Sequence, residues 1–106
     1  LVLAYDEDPL VHSSISAQLG MDAIDAGECA LDRADEFALP VLLVHGNADP
    51  ITSCEATCQF GSQVSGACTV KVWPGLYHET HNEPNRDEVV AFTLEWVRAH
   101  ALEPAR

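Results

Sequence analysis

Val41-Leu42-Leu43-Val44 puts four apolar residues in succession, bounded by Pro40 before and by His45-Gly46 after. A strand that does not alternate between apolar and polar residues is covered on both faces. That arrangement belongs to parallel sheets lying between helices. Thr69 to Trp73 makes a second strand, alternating Val70 and Val72 with Thr69 and Lys71, so one of its faces is more exposed. Between the two strands a helix is expected from about Ser53 to Val64, opened by Thr52 with Glu55 three residues on as a capping box. A last helix is expected over Arg86 to Ala101. It stacks Val89, Val90, Phe92, Thr93, Trp96 and Val97 along one side, with Asp87 and Glu88 at its N-terminal dipole end. The order strand, helix, strand, helix gives an α/β fold in which two parallel strands are joined by a right-handed crossover.

The first third reads differently. Asp8-Pro9 marks a turn, and a helical pattern follows from about Ser13 to Phe37, with Ile15, Leu19, Ala23, Ala26, Ala30 and Ala34 on one narrow stripe. Gly20 and Gly27 fall inside it and predict a bend or two shorter helices. A stripe of mostly small residues suits a helix lying over a cleft. The chain therefore divides into a segment 1–39 and an α/β segment 40–106.

Both strands empty into loops that carry a chemically useful side chain: Asp49 after the first, His78 after the second. Sites in α/β sheets gather at these carboxyl edges. A carboxylate that orients an imidazole is two-thirds of the apparatus that activates a serine. The local sequence leaves other readings open. Asp49 also suits a turn aspartate before Pro50, His81 shares the loop of His78, and His45 at its strand end reads as a packed, hydrogen-bonded histidine. No G-x-S-x-G occurs; Gly61-Ser62-Gln63-Val64-Ser65-Gly66 has the wrong spacing, and Ser13, Ser14 and Ser53 look like helix-start residues. His78, Glu79, His81 and Glu83 crowd one loop, but without the helical spacing of a hydrolytic zinc site, so no metal is expected.

Composition narrows the partners. With 5 Lys plus Arg against 17 Asp plus Glu, the net charge of -12 disfavours nucleic acid and anionic lipid surfaces. The longest apolar run, Ala38 to Val44, is too short to span a bilayer. Cys29, Cys54, Cys58 and Cys68 form no C-x-x-C pair and read as reduced, small apolar residues; with no signal pattern, this points to the cytoplasm. No nucleotide, flavin or nicotinamide signature is present, so no cofactor is expected. An opening on Leu1 rather than Met suggests a piece of a longer protein.

Three stretches carry a more specific likeness: Tyr5-Asp6-Glu7-Asp8-Pro9-Leu10, Pro40 to Thr52, and Trp73-Pro74-Gly75-Leu76-Tyr77-His78-Glu79-Thr80-His81-Asn82-Glu83-Pro84. Together they resemble the C-terminal portion of an α/β-hydrolase of the monoacylglycerol lipase and serine aminopeptidase type. The resemblance implies that residues 1–39 are a lid, that 40–106 are the last two strand–helix units, and that the nucleophile elbow and oxyanion hole lie elsewhere. It implies Asp49 as the orienting acid and His78 as the base. It also implies that Tyr5, Leu10, Val11, Ile15 and Leu19 contact an ester or monoglyceride substrate. The partner would be the nucleophile-bearing half or a second copy of the chain. If the remnant is non-catalytic instead, the unpaired edge of Val41 to His45 predicts self-association.

Overall fold

The computed structural model describes residues 2–101. A short helix α1 (Val2–Asp6) and a turn lead to α2 (Ala17–Asp32), a 3-10 turn (Ala34–Glu36), β1 (Val41–Gly46), α3 (Cys54–Gln63), β2 (Cys68–Trp73), a second 3-10 turn (Thr80–Asn82) and α4 (Arg86–Ala101). The two strands pair in parallel, from Val41 opposite Cys68 to Gly46 opposite Trp73. This is the α/β arrangement that the apolar pattern demands.

Strand parity decides which helix each side chain meets. Gly61 of α3 lies over Leu43, Cys68 and Val70, so those three share one face. The alternate residues of β2 turn to α4. Trp96 Nε1 donates to Thr69 Oγ1 at 2.9 Å, Trp73 packs edge-on against Phe92, and the Lys71 ammonium sits between the Trp73 and Phe92 rings. The sheet is thus sandwiched, α3 on one side and α4 on the other. Phe37 packs edge-on against Phe60, and its carbonyl accepts the N–H groups of Ser65 and Gly66, tying the segment before β1 to the turn after α3.

Three local expectations are corrected. The helical pattern over 13–37 does not break into two helices at its glycines. Ser16 is the N-cap, its Oγ accepting the Leu19 N–H, and α2 then runs unbroken through Gly20 and Gly27. Each glycine costs only about 1 kcal/mol in a helix interior, less than it takes to break sixteen well-capped residues. The cap of α3 is Ser53 rather than Thr52; Ser53 Oγ accepts the Ala56 N–H at 3.0 Å, and Thr52 is engaged elsewhere. Finally, β1 is half-buried rather than buried on both faces, with only Gly46 fully covered. A sheet of two strands leaves an unpaired edge on β1, and nothing among the described residues closes it.

Candidate active site

The site is built where β1 and β2 end side by side. Past Gly46, the chain turns so that the Asn47 N–H bonds the Trp73 carbonyl and the Ala48 N–H bonds the Leu76 carbonyl. Asn47 Oδ1 accepts the Gly75 N–H at 2.7 Å, knitting the two loops together. Gly75 has φ of 75°, the left-handed region that a side chain disfavours, and lets β2 turn sharply at Pro74-Gly75. Gly46 is required for a different reason: a Cβ there would collide with the carbonyl oxygens of Leu76 and Tyr77. Glu83 Oε1 holds the Tyr77 N–H at 3.1 Å, anchoring the residue just before His78.

These contacts bring Asp49 and His78 together. Asp49 Oδ2 lies 2.9 Å from His78 Nδ1. The Asp49 side chain is only 2% exposed, whereas that of His78 is 45% exposed. Oδ1 of Asp49 accepts the N–H groups of Ile51, at 2.8 Å, and Thr52, at 3.2 Å. Oδ2 accepts the Thr52 hydroxyl at 2.7 Å as well as His78. Burial opposes ionisation of this carboxyl. The Thr52 hydroxyl, His78 and the two backbone donors outweigh it and hold Asp49 well below the usual carboxylate range. Asp49 is therefore an anion at any pH where an esterase works. In the neutral ring, an anion at Nδ1 puts the proton there and leaves the lone pair on Nε2, the tautomer a general base needs.

The sequence leaves His78 and His81 open on spacing alone; the structure puts His78 against Asp49 and His81 in the 3-10 turn Thr80–Asn82. Two neighbours escape the sequence reading. Thr52 donates to the carboxylate instead of capping α3. His45 is indeed packed and hydrogen-bonded, yet its Nε2 also lies 3.2 Å from Asp49 Oδ2. Strand parity was the available signal for His45, two residues beyond Leu43 on the face toward α3. Ser53 spends its hydroxyl on the helix cap. The Cys54 thiol is pushed up by burial, then by Cys58 and by the Asp49 charge, so it stays protonated and is a poor nucleophile. All four cysteines are free. Among the described residues, no group of three or more His, Cys, Asp or Glu is arranged to hold a metal.

The residues expected to meet substrate lie on α1, on α2 and in the segment between them. Leu10 is bound at its N–H by Asp8 Oδ1. The side chains of Tyr5, Leu10, Ile15 and Leu19 are exposed and Val11 is half-buried. Helix α2 packs on α3 and the first 3-10 turn. No described helix is long and apolar enough to cross a membrane.

A carboxylate and an imidazole in contact at the carboxyl edge of a helix-covered parallel sheet define the C-terminal part of an α/β-hydrolase. Comparison with known proteins gives the particular family. The family described as "Serine aminopeptidase, S33" matches residues 1–85, and the chain belongs to it. It is 39% identical over 100 residues to an uncharacterized abhydrolase domain-containing protein of Dictyostelium discoideum, covering 92% of this chain and 11% of that one. It is 32% identical over 102 residues to the monoacylglycerol lipase of Mycolicibacterium smegmatis, covering 94% of this chain and 36% of the lipase. The crystal structure of Paleococcus ferrophilus monoacylglycerol lipase superposes with a TM-score of 0.88 at 37% identity, over 93% of this chain and 39% of that one. The chain thus spans well under half the length of each of these relatives.

Proposed function

We propose that this chain supplies the acid and the base of a serine ester hydrolase of the monoacylglycerol lipase kind. The contact between Asp49 and His78 carries the reading. In this reading a serine from outside residues 1–106 attacks the ester carbonyl, and His78 Nε2 takes its proton. Oxyanion-hole donors, also from outside these residues, stabilise the tetrahedral intermediate. His78 then returns the proton to the departing alcohol. Water, deprotonated by His78, cleaves the acyl-serine, releasing the fatty acid and regenerating the serine. Asp49 fixes the tautomer and stabilises the imidazolium. Residues 1–39 form the lid, and Tyr5, Leu10, Val11, Ile15 and Leu19 line the alcohol and acyl pocket, the exposed side chains of Tyr5, Leu10, Ile15 and Leu19 supporting that role.

A fluorophosphonate probe and monoacylglycerol turnover test this. The chain alone takes up no probe. Joined to a segment bearing the elbow serine, it hydrolyses ester, and Asp49→Asn lowers kcat by about 10⁴ and His78→Ala by about 10⁶. An adduct on residues 1–106 themselves, or full turnover by either variant, overturns the reading.

A second reading is favoured by one observation. The chain exposes 8090 Å², against about 5,800 Å² for a compact monomer of its mass. A self-associating, non-catalytic unit would cover that excess with a second copy.

A further inference from the structure

We propose that His45 is a positioning residue for the hydrolytic pair, held in one tautomer by Thr57 and bracing the turn Asp49–Thr52 from beneath. The proposal rests on the Asp49–His78 reading above and extends it by one tier. Neither the acid nor the base of that mechanism requires a second imidazole, yet the His45 side chain is only 10% exposed and stands against the same carboxylate.

The surroundings of each ring nitrogen settle its state. Nε2 of His45 faces three oxygens: Asp49 Oδ2 at 3.2 Å, the Thr52 carbonyl at 3.3 Å and Thr52 Oγ1 at 3.5 Å. The Thr52 hydroxyl has already given its proton to Asp49, at 2.7 Å, so it turns a lone pair toward His45. All three neighbours therefore ask for a donor, and a lone pair on Nε2 would be repelled by each. Nε2 carries hydrogen. On the other side, Nδ1 lies 2.8 Å from Thr57 Oγ1 on α3, and in the neutral ring it accepts the Thr57 hydroxyl proton.

The result is a directed chain: Thr57 donates to His45, His45 to Thr52, Thr52 to Asp49, and His78 donates to Asp49 from the other side. His45 belongs to rigid β1 and Thr57 to α3, so the brace ties the loop carboxylate to two regular elements. Support of this kind keeps a functional side chain within the small tolerance that catalysis demands.

The test uses the active hydrolase that contains this chain, with His45→Ala, His45→Gln and Thr57→Val. His45→Ala is expected to lower kcat on the order of 10- to 100-fold with little change in KM, the range common for outer hydrogen-bonding partners. His45→Gln, whose amide N–H reaches the place of Nε2, is expected to restore most of it. Thr57→Val is expected to lower kcat several-fold, and ¹⁵N NMR of the histidine rings to show the His45 Nδ1 resonance shifting as it loses its hydrogen bond. Wild-type kcat in Thr57→Val together with an unchanged ring spectrum overturns the proposal, even where His45→Ala fails to fold. So does a His45→Ala effect confined to KM. Asp49→Asn is the reference: if it abolishes turnover while the His45 and Thr57 variants keep theirs, only the brace is wrong. If Asp49→Asn is itself fully active, the underlying pair is wrong as well.

Discussion

At the scale of single residues, the site is a carboxylate surrounded by donors. Five neighbours stand within 3.2 Å of the Asp49 oxygens, two of them backbone N–H groups of its own turn. Those bonds favour the ionised form in the folded state, and this has a consequence for stability. Asp49 titrates lower when folded than its ordinary value of 3.8. Between those two values the unfolded chain binds the extra proton, so stability rises with pH there. The contribution is complete above about pH 5 and is lost as the pH falls through 3.8 toward the folded value. Urea midpoints measured against pH for wild type and Asp49→Asn check this. The wild-type advantage is expected to be flat from neutrality to about pH 5 and to shrink in more acid solution. A gap that widens on acidification would show that the bonds do not favour the anion. That Asp49 and His78 leave neighbouring strand ends was legible from sequence, because both follow apolar strands, and the structure brings them into contact. The contacts of Thr52 and His45 were not: a threonine before a serine suits a helix cap, and a histidine inside a strand shows its partners only once the opposing helix is in place.

At the scale of elements, the start of α3 separates structure from chemistry in adjacent residues. Ser53 caps the helix, while Thr52 turns back to the carboxylate. Ser53→Ala is expected to destabilise by about 1 kcal/mol and leave kcat unchanged. Thr52→Ala is expected to lower kcat with a smaller effect on melting, since it removes a donor from Asp49 and leaves the cap in place. Thermal melts and turnover of both variants check the division; equal kcat losses would put both residues in the site. The sequence located the strands and the last helix to within a residue or two, through apolar runs with firm punctuation. It overextended α2 at both ends. The apolar stripe continues past Ser16 and Asp32, but the Ser16 cap starts the helix late, and Arg33 ends it by leaving helical dihedrals, with φ -116° and ψ 19°. Periodicity shows what a helix would bury; capping geometry decides where it stops.

At the scale of the whole molecule, the described residues look like a surface awaiting a cover. Only Ala34, Leu76 and Val89 are buried apolar residues, while Leu39, Val70, Val90, Leu94 and Val97 stand exposed. The radius of gyration is 16.0 Å, against about 13 Å for a compact domain of this length. The excess of roughly 2,300 Å² over a compact monomer is more than one partner contributes to a standard protein interface. Net charge of -12 opposes indiscriminate clumping, so a defined contact is favoured over aggregation. The open edge of β1 offers backbone N–H and C=O groups for a further strand, and Val41 to His45 would pair there. Isolated chain is therefore expected to run as a dimer or larger species in light scattering, and Leu42→Lys to shift it toward monomer, because a charge on the strand disfavours edge pairing. Joining the nucleophile-bearing segment should abolish self-association by occupying the same edge. A stable monomer of the isolated chain would mean that its sparse core suffices, and that the exposed apolar face has no partner to find.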